Sequence, residues 1–131
     1  MVYEAIVYLA SLLTKYGVNV IIDATGNRRR YREHARKIIP KFMEVYIRCP
    51  LKVCIKRESK RVNIYGAPKN IYAKALAGES KTVPGVGVPY EEPLNPEIIV
   101  DSDKLNPEEC AERILKVLVE RFMRSHEFDG I

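Results

Sequence analysis

The run Val18-Asn19-Val20-Ile21-Ile22 is nearly all β-branched and is ended at once by the charge of Asp23. A strand that is apolar at successive rather than alternate positions suits the interior of a parallel sheet covered on both faces. Its flanks agree. Val2, Ile6, Leu9 and Leu13 recur at helical spacing and Gly17 follows as a stop, which predicts an amphipathic helix over residues 3–16 with that stripe on the core. Beyond the turn Asp23-Ala24-Thr25-Gly26-Asn27 a second helix can run from Arg28 to Ile39 before Pro40, with Tyr31, Ala35, Ile38 and Ile39 turned inward. Helix, strand and helix in close succession mean an α/β fold, and the turn at the strand's carboxyl edge is where open α/β sheets bind ligands.

The pattern then repeats. Phe42-Met43-Glu44-Val45-Tyr46-Ile47 reads as a strand, Pro50 opens a helix through Leu51, Val53, Cys54 and Arg57, and Glu97-Ile98-Ile99-Val100 reads as a short strand before the turn at Asp101–Leu105. Asn106, Pro107 and Glu109 carry the signature of a capped helix start, with Ala111, Ile114, Leu115, Leu118 and Phe122 as its buried stripe. The tail from Arg124 is expected to fray. At 131 residues the chain suits one domain rather than two.

A net charge of +5 favours an anionic partner, without choosing between nucleotide, nucleic acid and acidic surface. Cys49, Cys54 and Cys110 lack the paired short spacing of a zinc site, and no positively charged secretion leader precedes them, so they read as reduced thiols of a cytoplasmic protein. The apolar stretch Val2–Leu13, broken by Glu4, falls far short of the roughly 20 residues of a membrane span. His34 and His126 have no carboxylate or cysteine cluster around them in sequence and read as surface residues.

Two stretches suggest chemistry. In the basic helix, Arg29, Arg32 and Arg36 share one face, and Arg28 and Arg29 sit in the first turn, where a helix N-terminus and fixed guanidiniums both attract a phosphate or sulfate. From Lys69 to Pro93 a short helical pattern (Ile71, Ala75, Leu76) ends at Gly78 and gives way to glycines and prolines. There Gly85 and Gly87 allow a ligand close to the main chain, and Lys69, Lys74 and Lys81 offer cations.

The same residues carry a resemblance. Lys69-Asn70-Ile71-Tyr72-Ala73-Lys74-Ala75, then Ala77-Gly78-Glu79, Lys81, Gly85 and Pro89-Tyr90-Glu91-Glu92-Pro93 are similar to the late motif block of adenylylsulfate kinases, roughly K-G-L-Y-K-K-A-R-A-G-E, K-G-F-T-G-I and P-Y-E-x-P. Arg29, Arg32, Ala35 and Arg36 resemble that family's F-I-S-P-Y-R-x-x-R-x-x-A-R block, and Cys49-Pro50-Leu51-Lys52-Val53-Cys54-Ile55-Lys56-Arg57 its x-P-L-x-V-C-x-x-R element. The departures are Ala24-Thr25-Gly26-Asn27 in place of F-I-S-P, an insertion over Glu58–Pro68, Ala67 for an aspartate, Asn70 for a glycine, Ala73 for a lysine and Val83 for a phenylalanine that would stack on adenine.

The resemblance implies a P-loop kinase-like parallel sheet with flanking helices and transfer of the ATP γ-phosphate to the 3′-hydroxyl of adenylylsulfate, with magnesium. It implies adenylylsulfate contacts from Thr25, Gly26, Arg29, Arg32, Lys69, Ile71, Lys74, Thr82, Val83 and Gly85, and ATP contacts from Arg57, Asp103 and Lys104. It assigns no catalytic residue and no metal ligand here. The pattern G-x-x-x-x-G-K-S/T that cradles nucleotide phosphates is absent from the sequence. Residues 1–131 are therefore expected to be one truncated domain, the carboxyl-terminal part of such a kinase, with a lid over about 57–93 and no turnover on its own. Without the central phosphate-loop strand, an apolar seam should be exposed or irregularly closed, which favours a homo-oligomer. The alternatives are another small-molecule P-loop kinase, or a non-catalytic basic module for nucleic acid or a protein partner. Against nucleic acid, no aromatic but Tyr31 is interleaved with Arg28–Arg36.

Overall fold

In the computed structural model Val45-Tyr46-Ile47-Arg48 and Ile98-Ile99-Val100-Asp101 pair in parallel, in the register Val45↔Ile98 to Arg48↔Asp101. The structure describes residues 2–62, 66 and 68–123, so Ala67, the tail from Arg124 and His126 lie outside the described residues. In chain order the elements are α1 (Val2–Lys15), α2 (Arg29–Ile38), β1 (Val45–Arg48), α3 (Leu51–Ser59), α4 (Ile71–Leu76), β2 (Ile98–Asp101) and α5 (Pro107–Phe122). A parallel pair needs a crossover between its strands, and α3, α4 and the glycine-rich segment supply it. The fold is α/β, with a parallel sheet and flanking helices, and each expected helix forms.

Local chemistry explains the boundaries. Gly17 closes α1 with φ +79°, a left-handed conformation that suits glycine. At α5, Asn106 Oδ1 accepts the Glu109 N–H at 2.8 Å while Glu109 Oε2 accepts the Asn106 N–H at 2.8 Å, and Pro107 follows as the first helical residue.

The core differs from the sequence reading in two ways. First, Val18–Ile22 belongs to no strand among the described residues, and Ile21 is 94% exposed. A strand exists only against a partner, and no described strand lies beside this segment. Second, the helical stripes do not bury where they were expected. In α1 the buried residues are Val7, Ala10 and Ser11, whereas Val2, Ile6, Leu9 and Leu13 are exposed, because α1 meets α2 through small side chains: Val7 and Ala10 cluster with Ala35 and Ile39, with Val20 and Phe42 packed alongside. Ile38 accordingly stays exposed. In α5 only Cys110 is buried, with Ala111, Leu115 and Leu118 exposed. Val100 of β2, at 1% exposure, is the most enclosed large side chain described. Large apolar side chains are exposed on α1, on Val18–Ile22 and on α5.

Polar bonds fasten what the small core does not. Glu97, with its side chain 6% exposed, accepts from Arg36 Nη1 at 2.5 Å and Nη2 at 2.9 Å, from the Glu44 N–H at 2.6 Å, and lies 3.4 Å from Arg121 Nη2. Its carboxyl is thereby drawn down from the ordinary 4.5 to about 2, chiefly by the Arg36 guanidinium, with burial opposing. Because the folded value lies below the unfolded one, this stabilisation is fully present above about pH 4.5 and is lost as pH falls through about 2. We expect on the order of 2 to 3 kcal/mol from this carboxylate at neutral pH. Glu97→Gln should lower the denaturant midpoint at pH 7 and flatten the acid limb between those two values, as followed by circular dichroism.

Candidate functional site

Helix α2 starts without a side-chain cap from Arg28, which leaves its first N–H groups in need of acceptors. The segment Pro89–Glu92 supplies one, for Arg29, from across the molecule. Glu91 Oε2 accepts the Arg29 N–H at 2.8 Å and its Oε1 accepts from Arg28 Nη1 at 2.9 Å. The Glu91 N–H donates to the Asn27 carbonyl at 2.8 Å, and Asn27 Nδ2 donates to the Pro89 carbonyl at 3.4 Å. The Arg29 N–H and the Arg28 guanidinium hold the Glu91 carboxyl below its ordinary value. So the helix N-terminus that sequence reasoning reserved for a substrate anion carries the chain's own carboxylate.

The arginine stripe is neither a free anion trap nor a solvated face. Arg32 Nε donates to Glu44 Oε1 at 2.6 Å, and its terminal nitrogens donate to the carbonyls of Gly26 and Glu91. Arg36 is engaged by Glu97 and Glu44. Arg29 alone of the three keeps both terminal nitrogens without partners among the described residues, while its Nε donates to the Glu92 carbonyl at 2.9 Å. Gly26 is buried with φ +49°, and its N–H donates to Tyr3 Oη at 3.0 Å, whereas Thr25 is exposed. Beside these arginines runs a groove of about 360 Å³ whose other walls include Glu33, Pro93 and Leu94. Tyr90 stacks on Tyr46 with ring centroids 6.0 Å apart, and Tyr46 Oη donates to Glu92 Oε1 at 3.2 Å. Burial, then the Glu92 carboxylate, pushes the Tyr46 hydroxyl up to about 12, so it stays a donor at neutral pH.

A second group lies on the crossover. Asn70 opens α4 with φ +57°, which explains how asparagine stands where the resembling pattern has glycine: it is the side chain that best tolerates that conformation. The Ile71 N–H meets Glu58 Oε1 at 3.4 Å, tying α4 to α3, while Lys69 and Lys74 are exposed. Gly78, at φ +79°, lets the Glu79 N–H reach back to the Lys74 carbonyl at 2.9 Å. Downstream, the Val83 carbonyl accepts from the N–H groups of Val86, Gly87 and Val88, and the Gly85 N–H donates to the Val88 carbonyl at 2.8 Å. Thr82 Oγ1 lies 3.2 Å from Ser80 Oγ. A Cβ on Gly85 would sit 3.6 Å from Leu51 Cδ1, so this loop lies against the start of α3. Gly87 serves the loop itself rather than a ligand, since a Cβ there would fall 2.6 Å from the Lys81 carbonyl carbon.

The third group is at the carboxyl edge of the strands. Arg57 Nη2 donates to the Ser102 carbonyl at 2.7 Å and Lys104 Nζ lies 3.7 Å from Asp101 Oδ2, with Asp103 exposed beside them. The bidentate pair of Arg48 with Asp101, at 2.6 and 3.1 Å, locks that edge. Sequence reasoning missed this pair and the roles of Glu44, Glu91, Glu92 and Glu97. The signal for Glu91 was present in the Pro-Tyr-Glu-Glu-Pro run, an acidic pair fixed by prolines. No sequence spacing links the other carboxylates to their arginines.

A family model described as adenylylsulphate kinase matches residues 2–101. A probable adenylyl-sulfate kinase of Pyrococcus abyssi is 44% identical over 111 residues, covering 85% of this chain and 59% of that protein. One of Archaeoglobus fulgidus is 46% identical over 101 residues, covering 77% of this chain and 59% of the relative. The solved structure of the Mycobacterium tuberculosis APS kinase CysC, in complex with AMPPNP and APS, superposes with a TM-score of 0.71 at 31% identity, covering 90% of this chain and 64% of that one. The chain thus spans under two thirds of the length of each of these proteins.

The backbone approach at Gly87 gives a direct test of the loop. Gly87→Ala should cost about 1 to 3 kcal/mol by overpacking, or open the loop locally. A lowered denaturant midpoint or new protease cleavage within residues 81–88 would register either response, and a variant matching the parent in both would mean that the close contact with Lys81 is not kept in solution.

Proposed function

Because this chain belongs to the adenylylsulfate kinase family, and so to the P-loop kinase fold, we propose that its 131 residues form the acceptor-substrate and lid side of an enzyme that phosphorylates the 3′-hydroxyl of adenylylsulfate with ATP. The observation that carries this reading is the convergence of two separate motif blocks, Arg28–Arg32 and Pro89–Glu92, on one structure that leaves the Arg29 guanidinium available. A planar fork of that kind suits the oxygens of a phosphate or sulfate. In this assignment Arg29 contacts the anion, while Arg32 holds the Thr25-Gly26 turn in place through the Gly26 carbonyl. Lys69 just before α4, Ile71 and Lys74 on it, and Thr82, Val83 and Gly85 on the loop after it belong to a lid over about residues 57–93 that closes on the nucleotide portion. Val83 packs there without the stacking an aromatic ring would give.

Arg57, Asp103 and Lys104, gathered at the carboxyl edge of β2, are assigned to ATP. The described residues hold no cluster of three His, Cys, Asp or Glu, so magnesium would enter with the nucleotide phosphates rather than into a protein cage. No glycine-rich phosphate loop lies within the sequence, so these residues bind and position but lack the main electrostatic stabilisation of phosphoryl transfer. Three free cysteines fit a reducing, cytoplasmic setting, and the open apolar faces fit association of copies.

Two measurements on the 131-residue protein test this. Calorimetric titration with adenylylsulfate should give saturable binding at ordinary salt, weakened by roughly 1.5 to 3 kcal/mol in Lys69→Ala and also weakened in Arg29→Lys, which keeps the charge but loses the fork. Incubation with ATP, magnesium and adenylylsulfate should give no 3′-phosphorylated product. Absence of adenylylsulfate binding, or a steep salt dependence for oligonucleotides in its place, would overturn the assignment.

A further inference from the structure

Residue 91 directs every hydrogen-bonding group it has at residues 27 to 32. Its two carboxylate oxygens take the Arg29 N–H and Arg28 Nη1, its N–H takes the Asn27 carbonyl, and its carbonyl takes Arg32 Nη2. A helix cap alone needs one acceptor on one N–H. Here the two oxygens are divided between the backbone of Arg29 and the side chain of Arg28, and the next residue's carbonyl carries Arg29 Nε. The Arg29 residue is therefore held at two points, its backbone by Glu91 and its guanidinium at Nε by the Glu92 carbonyl, with the terminal nitrogens left over among the described residues. Arg28, the competing guanidinium in the same turn, is drawn aside onto Glu91.

We propose that Glu91 is a positioning residue: it and the Glu92 carbonyl preset the Arg29 guanidinium as a rigid fork for an oxyanion, so that a ligand does not have to freeze a long flexible side chain. The anion's identity rests on the adenylylsulfate reading; the presetting of Arg29 does not. Glutamate suits the place because a helix N-terminus and a neighbouring guanidinium both favour a full negative charge. Its own charge does not cancel the site, since Arg28 balances it and Arg29 remains in surplus.

The test uses the 131-residue protein with Glu91→Ala, Glu91→Gln, Arg29→Ala and the double variant Glu91→Ala/Arg29→Ala. Adenylylsulfate is titrated calorimetrically, and the Nε–Hε signal of Arg29 is followed by NMR without ligand. Glu91→Ala should weaken binding about tenfold and merge the Arg29 signal with those of mobile arginines. Glu91→Gln keeps an oxygen for the Arg29 N–H and should stay within about threefold of the parent. The double variant should bind no worse than Arg29→Ala, because Glu91 acts through Arg29. A Glu91→Ala variant that binds like the parent, or losses that simply add, would overturn the proposal. If the parent itself fails to bind adenylylsulfate, the substrate reading falls, and the Arg29 signal decides the positioning role alone: unchanged in Glu91→Ala, it rejects the role.

Discussion

One carboxylate, that of Glu97, ties together elements that the apolar core leaves loosely joined. It sits just before β2 and reaches Arg36 of α2, the backbone at Glu44 before β1, and Arg121 of α5. The buried apolar residues are few and small, among them Val7, Ala10, Ala35 and Ile39, and hydrophobic stabilisation scales with the area removed from water. Removing one partner of such an enclosed ionic cluster leaves charge without compensation, which costs more than the pairing itself contributes. The cluster ties α2 to the segments before β1 and β2, and with it the helix that carries Arg29, Arg32 and Arg36. Arg36 belongs to the scaffold because Glu97 and Glu44 claim it, and Arg29 is available because no carboxylate among the described residues takes its terminal nitrogens.

The class of fold was legible in the residues. The capped start of α5, the glycine stops at Gly17 and Gly78 and the two short strands follow from local chemistry, and local chemistry is what a sequence states directly. Burial was less legible, because it depends on neighbours. Leu9 and Leu13 repeat at the right spacing for a core, yet α2 presents Ala35 and Ile39 to the other face of α1. Val18–Ile22 has the composition of an interior strand, but composition cannot provide the second strand that would make it one.

The site was legible as a set of residue types and illegible as a geometry. Arg29 and Arg32 have the same spacing logic in sequence and different situations in space: one keeps spare donors, the other is spent on two carbonyls and a glutamate. The decisive partner lies more than 60 positions away, with sequence separations of 62 and 63 between Glu91 and the arginines it holds. Asn70 shows the converse case. In sequence Asn70 departs from the glycine of the motif, and its positive φ shows that the left-handed conformation is kept.

The largely exposed segment Val18–Ile22 has a thermodynamic consequence. Unfolding raises heat capacity in proportion to the apolar surface newly wetted, and surface already wet in the native state contributes nothing to that change. A domain of 131 residues would ordinarily show about 1.6 to 2.0 kcal/mol/K. With Ile21 almost wholly hydrated and the outer faces of α1 and α5 open, this chain as a monomer should fall below that range. Its stability would then vary more gently with temperature than its length implies, and covering those faces would restore both the missing heat capacity and the curvature.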